Sequence, residues 1–414
     1  METMSRQTMP HMDPRWGPRP LSLHLSTAMA GMMSSLAALP SARNGSLPWP
    51  PELAAAAAEL TAALKQSEPD ALFQAVAAEC QTRLSTMLAG VQTYQAAVRA
   101  DDRAWVKGRE VWRQGTTRLL DYGGVGRPVL FVPSLVNGAH VLDLTPDRGM
   151  LGWLRDQGHR PFLVDWRAPG DDELAFSLSD YISRLRDALD VLKDKAEQQP
   201  ALVGYCMGGD LALALAQQRQ GDIAGLALLA TPWDFTAGGQ QWPAIEALMP
   251  GLDSILQGFG ALPVDVLQAL FAALDPGLAQ RKFCHFATLD PESDEAAHFV
   301  ALEDWVNDGV PLAAEAARDC LLGWYGNNST VRGEWLIDGQ AVDPGCLRLP
   351  VLVAIPENDR IVPAASAQAL ADAIPQAKVI RPSAGHIGMV VGRRGKSGLW
   401  QPLSEWLSGL SPQT

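Results

Sequence analysis

Two patterns of apolar residues divide the chain. Residues 51–98 are rich in Ala and Leu, and runs such as Glu52–Leu64 and Ala71–Leu88 favour helices because few Gly or Pro interrupt them. From Val111 onward, short continuous apolar runs alternate with amphipathic stretches. Continuous apolar runs are typical of strands that are buried on both faces. The alternation therefore predicts a mostly parallel, doubly wound α/β sheet behind a helical N-terminal region.

The predicted strands are Arg118–Tyr122, Pro128–Val132, Arg160–Asp165, Ala201–Tyr205, Leu226–Ala230, Leu349–Ile355 and Lys378–Pro382. The helices predicted between and after them are Met150–Gly158, Leu178–Lys195, Ala364–Ile374 and Leu399–Leu410. Residues 233–346 break the alternation and are rich in Trp, Phe, Pro and Gly. An insertion of this size between two core strands predicts a cap over an active site.

The predicted organisation has four parts. Residues 1–105 form an N-terminal helical region, 106–232 the first part of the α/β core, 233–346 the cap, and 347–414 the second part of the core. The N-terminal region is interpreted as a helical cap packed on the core, and the alternative is a module that binds a partner.

The hexapeptide Gly204–Gly209 joins a predicted strand to a helix-forming run. It has the form of a nucleophile elbow, G-x-Nuc-x-G, with Cys206 at the nucleophile position. Such a turn strains the backbone of the nucleophile, and Gly204 and Gly208 let the flanking backbones approach closely. The sulfur of Cys206 is expected at a helix N-terminus, where the helix dipole favours a thiolate.

A thiol nucleophile needs a base and an acid that orients the base. In α/β-hydrolase folds these follow the nucleophile in the order acid, then histidine. Asp359 and His386 satisfy this order, and each lies just past a predicted strand. Because loops after parallel strands emerge at the carboxyl edge of the sheet, both are expected near Cys206. Asp234 follows an earlier strand and is the alternative acid.

An acyl-transfer site also needs backbone N–H groups aimed at the negative charge that develops on the carbonyl oxygen. The residue after the nucleophile, Met207, is expected to supply one of them. The other is expected from the loop 133–137, where Leu135 is the prediction and Val136 the alternative.

Charge and cysteine content narrow the class of protein. A net charge of -13 argues against a nucleic-acid surface. The five cysteines are scattered without a CxxC pair, which indicates a reducing, cytoplasmic setting and no zinc ribbon. The N-terminus lacks the features of a secretory signal, and the apolar stretch Leu21–Leu39 is too interrupted to favour a transmembrane span. We predict neither a metal nor a cofactor.

At these motifs the chain strongly resembles polyhydroxyalkanoate synthases. The G-x-C-x-G-G box of that family matches Gly204–Gly209 fully, and residues 359–363 and 385–388 resemble its DHIVP and GHIG motifs. The other similar stretches are 136–137 with 141–144 and 147–148, 164–166, and 299–308 with 333–334 and 342–343. The resemblance covers roughly residues 110–414. It is closest to the short class III-like catalytic subunit, which works with a partner subunit.

The resemblance implies an enzyme of the α/β-hydrolase superfamily in which Cys206 is acylated, His386 is its base and Asp359 is the acid. Its substrate would be a 3-hydroxyacyl-CoA, with CoA released and the acyl unit added to a growing polyester. It also implies a cytoplasmic protein that contacts the polyester granule surface and either a partner subunit or a second copy of itself. Arg360 stands where the family usually has His.

Four basic residues are candidates to contact the phosphates of CoA, namely Arg360, Arg393, Arg394 and Lys396. For the last three, a solvated basic loop is the alternative interpretation.

The choice of cysteine favours acyl transfer over hydrolysis. Exchange of a thioester onto a thiol is nearly isoenergetic, so the acyl group stays activated for attack by a hydroxyl. An oxygen ester on serine would lose that activation. Two other functions stay open: a cysteine-dependent hydrolase or thioesterase on the same fold, and a non-catalytic, granule-associated relative.

Overall fold

The computed structural model describes residues 17–97, 108–195, 198–237 and 245–410. The contacts divide the chain into two compact units. The first unit takes in the described residues within 1–100 and 268–307, and the second takes in those within 101–267 and 308–414. Each unit is described by itself.

The elements are numbered in chain order over the described residues. The strands are β1 (Arg109–Gln114), β2 (Thr117–Asp121), β3 (Pro128–Val132), β4 (Arg160–Asp165), β5 (Ala201–Tyr205), β6 (Gly225–Leu229), β7 (Ala261–Leu262), β8 (Leu312–Ala313), β9 (Leu336–Ile337), β10 (Gln340–Ala341), β11 (Val351–Ala354) and β12 (Lys378–Ile380). The helices are α1 (Leu21–Asn44), α2 (Ala54–Gln66), α3 (Pro69–Ala96), α4 (Met150–Asp156), α5 (Leu178–Lys195), α6 (Met207–Gln218), α7 (Ile245–Phe259), α8 (Val264–Leu274), α9 (Leu278–Phe286), α10 (Asp294–Asn307), α11 (Ala314–Arg318), α12 (Ala364–Ala373), α13 (Gly388–Val391) and α14 (Gln401–Ser408).

The second unit is built on an eight-stranded sheet with the order β1-β2-β4-β3-β5-β6-β11-β12. The strands from β4 to β12 in this order run parallel, whereas β2 is antiparallel to both of its neighbours, β1 and β4. Every residue of β3, β5, β6 and β11 is buried. Their continuous apolar runs are explained by helices on both faces of the sheet. The predicted α/β fold with a mostly parallel sheet is therefore confirmed.

Sequence analysis missed the edge strand β1. The prediction began the sheet at Arg118–Tyr122, which corresponds to β2, but β1 precedes it and pairs with it as a hairpin. The reason is that β1 has no buried residue and lies at the edge of the sheet. A half-solvated edge strand lacks the continuous apolar run that marks the central strands.

The first unit encloses its own apolar core, formed by α1 and α3 together with α9 and α10. The buried members of this core are Ala28, Met87, Val91, Tyr94, Phe283, Phe286, Ala296 and Val300. The hydroxyl of Tyr94 donates a hydrogen bond to Asp304 Oδ1 at 2.7 Å and accepts one from Asn307 Nδ2 at 3.1 Å. Residues 268–307 therefore pack with the N-terminal helices, although they fall inside the predicted cap 233–346. The four-part division of the chain stays a prediction.

Helix α3 approaches the backbone of α9 closely at Gly90. A Cβ atom at this position would lie 2.1 Å from the carbonyl oxygen of Phe283, which is backbone and cannot turn away. We expect Gly90→Ala to destabilise the first unit by about 1–3 kcal/mol, because overpacking forces the two helices apart. Urea unfolding followed by circular dichroism measures this.

The matched control is Gly31→Ala in α1, where a Cβ atom would meet no atom within 4 Å. This variant should be neutral or more stable by up to about 1 kcal/mol, since Ala has the higher helix propensity. Equal unfolding midpoints for the two variants would contradict the close approach at Gly90.

None of the helices among the described residues combines the length and the apolar character that a membrane span requires.

Candidate active site

Cys206 occupies the sharp turn between β5 and α6. Its backbone has φ 56° and ψ -134°, a left-handed conformation that is strained for a residue with a side chain. The turn is held in place because the N–H of Cys206 donates to the carbonyl oxygen of Leu229 at 2.9 Å. The N–H of Gly209 donates in turn to the carbonyl oxygen of Cys206 at 2.8 Å. The structure thus places Cys206 at the start of a helix, where the dipole favours negative charge.

At three positions around this turn only glycine fits, because a side chain there would clash with neighbouring atoms. A Cβ atom at Gly204 would lie 2.4 Å from the Cα of Gly209, and one at Gly208 would lie 2.3 Å from the carbonyl oxygen of Val132. The third is Gly209 itself, where a Cβ atom would lie 1.8 Å from Thr231 Oγ1. The pattern of the hexapeptide predicts close approach at Gly204 and Gly208, and in the structure the constraints on Gly208 and Gly209 come from distant parts of the chain.

His386 and Asp359 form a hydrogen-bonded pair in the second unit. Nδ1 of His386 lies 2.7 Å from Oδ2 of Asp359, and the side chains are 7% and 0% exposed. The other carboxylate oxygen of Asp359 accepts hydrogen bonds from the N–H groups of Ile361 and Val362, both at 2.8 Å. These bonds fix the carboxylate, and the carboxylate in turn fixes the orientation of the imidazole.

The Cys206 side chain lies close enough to His386 for its charge to act on the imidazole. Burial lowers the pKa of His386, but the charge of Cys206 and the hydrogen bond to Asp359 outweigh burial and raise this pKa to about 10. At neutral pH the imidazole is therefore protonated and carries a positive charge beside the Cys206 side chain.

Tyr205 lies behind the imidazole. Its hydroxyl donates to the carbonyl oxygen of His386 at 3.3 Å, and the two ring centroids are 5.2 Å apart. Burial, together with the charges of Cys206 and Asp359, raises the pKa of Tyr205 well above its ordinary value. Tyr205 therefore stays neutral and supports the loop that carries His386.

The two predicted oxyanion donors lie in the expected elements. Met207 is the first residue of α6, so its N–H has no partner within the helix. Leu135 lies in the loop after β3 and is buried. The N–H of the alternative, Val136, donates to Ser134 Oγ at 3.4 Å, whereas no partner for the N–H of Leu135 occurs among the described residues. This difference favours Leu135, and the oxyanion hole stays a prediction.

Asp234, the alternative acid, stabilises a different turn. Its Oδ1 accepts hydrogen bonds from the N–H and hydroxyl of Thr236, from the N–H of Ala237 and from the amide of Asn328. The hydrogen-bond partner of His386 is Asp359.

The four candidate phosphate-binding residues, Arg360, Arg393, Arg394 and Lys396, are exposed. The ammonium of Lys396 lies 5.6 Å from the ring centroid of Trp153. Among the described residues, no cluster of His, Cys, Asp and Glu could hold a metal ion.

Asp210 is a fully buried carboxyl group near the nucleophile that is not among the site residues predicted from the sequence. It lies four residues after Cys206, and it is the one charged residue in the apolar run Met207–Ala216. A carboxylate in an otherwise apolar helix is a signal that could have identified it, because an unpaired charge is rarely buried.

Comparison with known proteins agrees with this geometry. Residues 127–392, well over half of the chain, match the family model described as the alpha/beta hydrolase fold. The chain is 30% identical over 312 residues to the poly(3-hydroxyalkanoate) polymerase subunit PhaC of Haloferax mediterranei, and the match covers 72% of this chain and 63% of that protein. It is also 30% identical over 289 residues to the subunit of the same name from Haloarcula marismortui, with 68% and 60% covered. The chain thus spans about three fifths of the length of these relatives.

Among solved structures, a thermophilic esterase from Thermogutta terrifontis is 19% identical, covers 74% of this chain and 98% of its own, and has a TM-score of 0.48. The family model, the parallel sheet and the strained turn at Cys206 together assign the chain to the family of proteins with the α/β-hydrolase fold.

Proposed function

We propose that this protein is an acyltransferase of the polyhydroxyalkanoate synthase type. It would polymerise 3-hydroxyacyl-CoA and release CoA through a thioester on Cys206. The observation that carries this proposal is a cysteine at the elbow, paired with His386 and Asp359, in a chain 30% identical to two polymerase subunits.

In the first step, the Cys206 thiolate attacks the thioester carbonyl of the acyl-CoA. The negative charge moves to the carbonyl oxygen, where the N–H groups of Met207 and Leu135 would stabilise it. The carbon–sulfur bond to CoA then breaks, and the leaving CoA thiolate takes the proton of the His386 imidazolium. The products are acyl-Cys206, neutral His386 and free CoA.

In the second step, a hydroxyl group of another hydroxyacyl unit attacks acyl-Cys206. Neutral His386 accepts the hydroxyl proton as an oxygen–carbon bond forms and the carbon–sulfur bond breaks. The sulfur returns to the thiolate state beside the imidazolium, and the polyester is one unit longer. The thioester keeps the acyl group activated for this step, which an oxygen ester on serine would not.

Incubation of the purified protein with 3-hydroxybutyryl-CoA tests the proposal. Released thiol and insoluble polyester are assayed in the same sample, and we expect both. CoA release with only free hydroxy acid would replace the polymerase with a hydrolase. If neither CoA nor polymer appears and Cys206 does not react with a thiol reagent, the protein is a non-catalytic relative.

We further propose that the protein works in the cytoplasm at a polyester granule, with a partner subunit or a second copy of itself. The relatives are named as subunits of a polymerase, which supports a partner.

The exposed basic residues after α13 would bind the phosphates of CoA. We expect the double variant Arg393→Gln and Arg394→Gln to raise the KM for 3-hydroxybutyryl-CoA about three- to tenfold with little change in kcat, since charge-assisted hydrogen bonds to phosphate contribute about 1 kcal/mol at an exposed site. The corresponding pantetheine thioester, which lacks the nucleotide phosphates, is the control substrate. An equal rise in KM for both substrates would assign these residues to the solvated basic loop of the alternative interpretation.

A further inference from the structure

Asp210 is a buried acid that the proposed reaction does not use. It lies in the first turn of α6, four residues after Cys206, which caps the start of this helix. Its side chain is 0% exposed, and neither carboxyl oxygen has a hydrogen-bond partner on any other described residue. Because both oxygens are enclosed, substrate cannot touch this group. Any role of Asp210 in the reaction is therefore indirect.

The titratable groups that face Asp210 carry no positive charge. Cys206 comes from its own helix end, whereas Cys320 and Tyr325 come from the π-helical segment Asp319–Gly326. No described Lys, Arg or His forms an ion pair with Asp210. Burial and the charge of Cys206 raise the pKa of Asp210 well above its ordinary value. Burial is the main cause that raises the pKa values of Cys320 and Tyr325, so both stay neutral.

A charge on Asp210 would oppose the chemistry at the start of α6. That end of the helix carries a partial positive charge of about half an elementary charge. It supports both the thiolate of Cys206 and the negative charge predicted near the N–H of Met207. A full negative charge one turn along the same helix would outweigh this partial positive charge. The neutral acid leaves it intact.

We propose that Asp210 is a positioning residue that works as a neutral carboxylic acid, and that its ionisation cancels the positive potential which the start of α6 presents at Cys206. The proposal rests on Cys206 being the nucleophile, but it does not require polymer formation.

The test measures the electrostatic potential at the sulfur of Cys206 in the full-length protein. Alkylation by the anion iodoacetate is compared with alkylation by neutral iodoacetamide from neutral to alkaline pH, and the peptide containing Cys206 is quantified by mass spectrometry. In the wild type we expect the ratio of the two rates to fall at alkaline pH, as Asp210 ionises and repels the anion. In Asp210→Asn this fall should be smaller by about threefold or more, as expected for a nearby charge at an effective dielectric constant of about 20.

Two features make the comparison specific. His386 loses its proton at alkaline pH in both proteins, so its contribution to the ratio is common to them. Cys320→Ala changes the surroundings of Asp210 but keeps the carboxyl group, and it should show the fall of the wild type. Identical ratios in the wild type and Asp210→Asn at every pH would overturn the proposal. A folded Asp210→Asn protein whose Cys206 no longer reacts at neutral pH would overturn it as well.

If Asp210→Asn does not fold, infrared spectroscopy of the wild type decides. Protein with ¹³C-labelled aspartate should show the C=O stretch of a protonated carboxyl group at neutral pH and lose it at alkaline pH, and the band should persist in Asp319→Asn, which removes another aspartate whose pKa burial raises. Absence of that band at neutral pH would overturn the proposal. Because neither measurement uses an acyl-CoA, failure of the proposed polymerase reaction would leave both results intact.

Discussion

Cys206→Ala is expected to lower the rate of CoA release from 3-hydroxybutyryl-CoA by at least about 10⁴-fold and to abolish polymer, because the nucleophile that carries the acyl group is lost. Thiol release and insoluble polyester are the two measurements.

Cys206→Ser tests whether the chemistry of the sulfur is needed, because serine has nearly the same size as cysteine. Its hydroxyl is not ionised at neutral pH, and an acyl group on it would be an unactivated oxygen ester. We expect this variant to form no polymer.

The matched control is Cys80→Ala. Cys80 is a partly buried cysteine on α3, and this variant should keep the activity of the wild type within about twofold. Labelling with iodoacetamide before the assay should abolish activity in both the wild type and Cys80→Ala. Polymer formation by Cys206→Ala would mean that another group forms the acyl intermediate, and the assignment of Cys206 would be wrong.

Asp359→Asn is expected to lower kcat by about 10²- to 10⁴-fold. The amide keeps the size of the carboxylate but removes the charge that orients and stabilises the His386 imidazolium. Since the hydrogen bond and charge of Asp359 help to raise the pKa of His386 to about 10, this pKa should fall in the variant. NMR titration of the imidazole measures the pKa, and single-turnover CoA release measures the chemical step.

The same pKa has a consequence for stability. The pKa of His386 in the folded protein, about 10, lies above its unfolded value of about 6.5, so the folded state binds more protons between these values. The stabilisation is therefore complete below about pH 6.5 and is lost as the pH rises towards 10. Asp359→Asn should show a smaller loss of unfolding free energy over this window.

Asp234→Asn is the matched control for the acid, because Asp234 bonds Thr236 and Asn328 rather than His386. It should leave the pKa of His386 unchanged and kcat within a few-fold of the wild type. A loss of kcat in Asp234→Asn as large as that in Asp359→Asn would contradict the pairing seen in the structure.

The central strands could be predicted because a parallel strand buried on both faces needs a continuous apolar run. The apolar run Pro128–Val132 predicts a strand with the same bounds that β3 has in the structure. The edge strand β1 could not, since its residues face solvent and carry no such run. The packing of residues 268–307 with the N-terminal helices has no local signature either. Phe283 and Met87 share a core although almost two hundred positions separate them.

The elbow at Cys206 is determined by the sequence itself. Strand, turn and helix follow one another directly, and the close approach of Gly204 to Gly209 is a property of those few residues, whereas Gly208 packs against the distant backbone of Val132. The order of Cys206, Asp359 and His386 along the chain likewise follows from the sequence. Only the tertiary structure shows that His386 bonds Asp359 whereas Asp234 bonds Asn328, since both aspartates follow core strands and their side-chain partners come from distant segments. It alone also shows that Asp210 is enclosed, because burial depends on what packs over a residue and not on the residue itself.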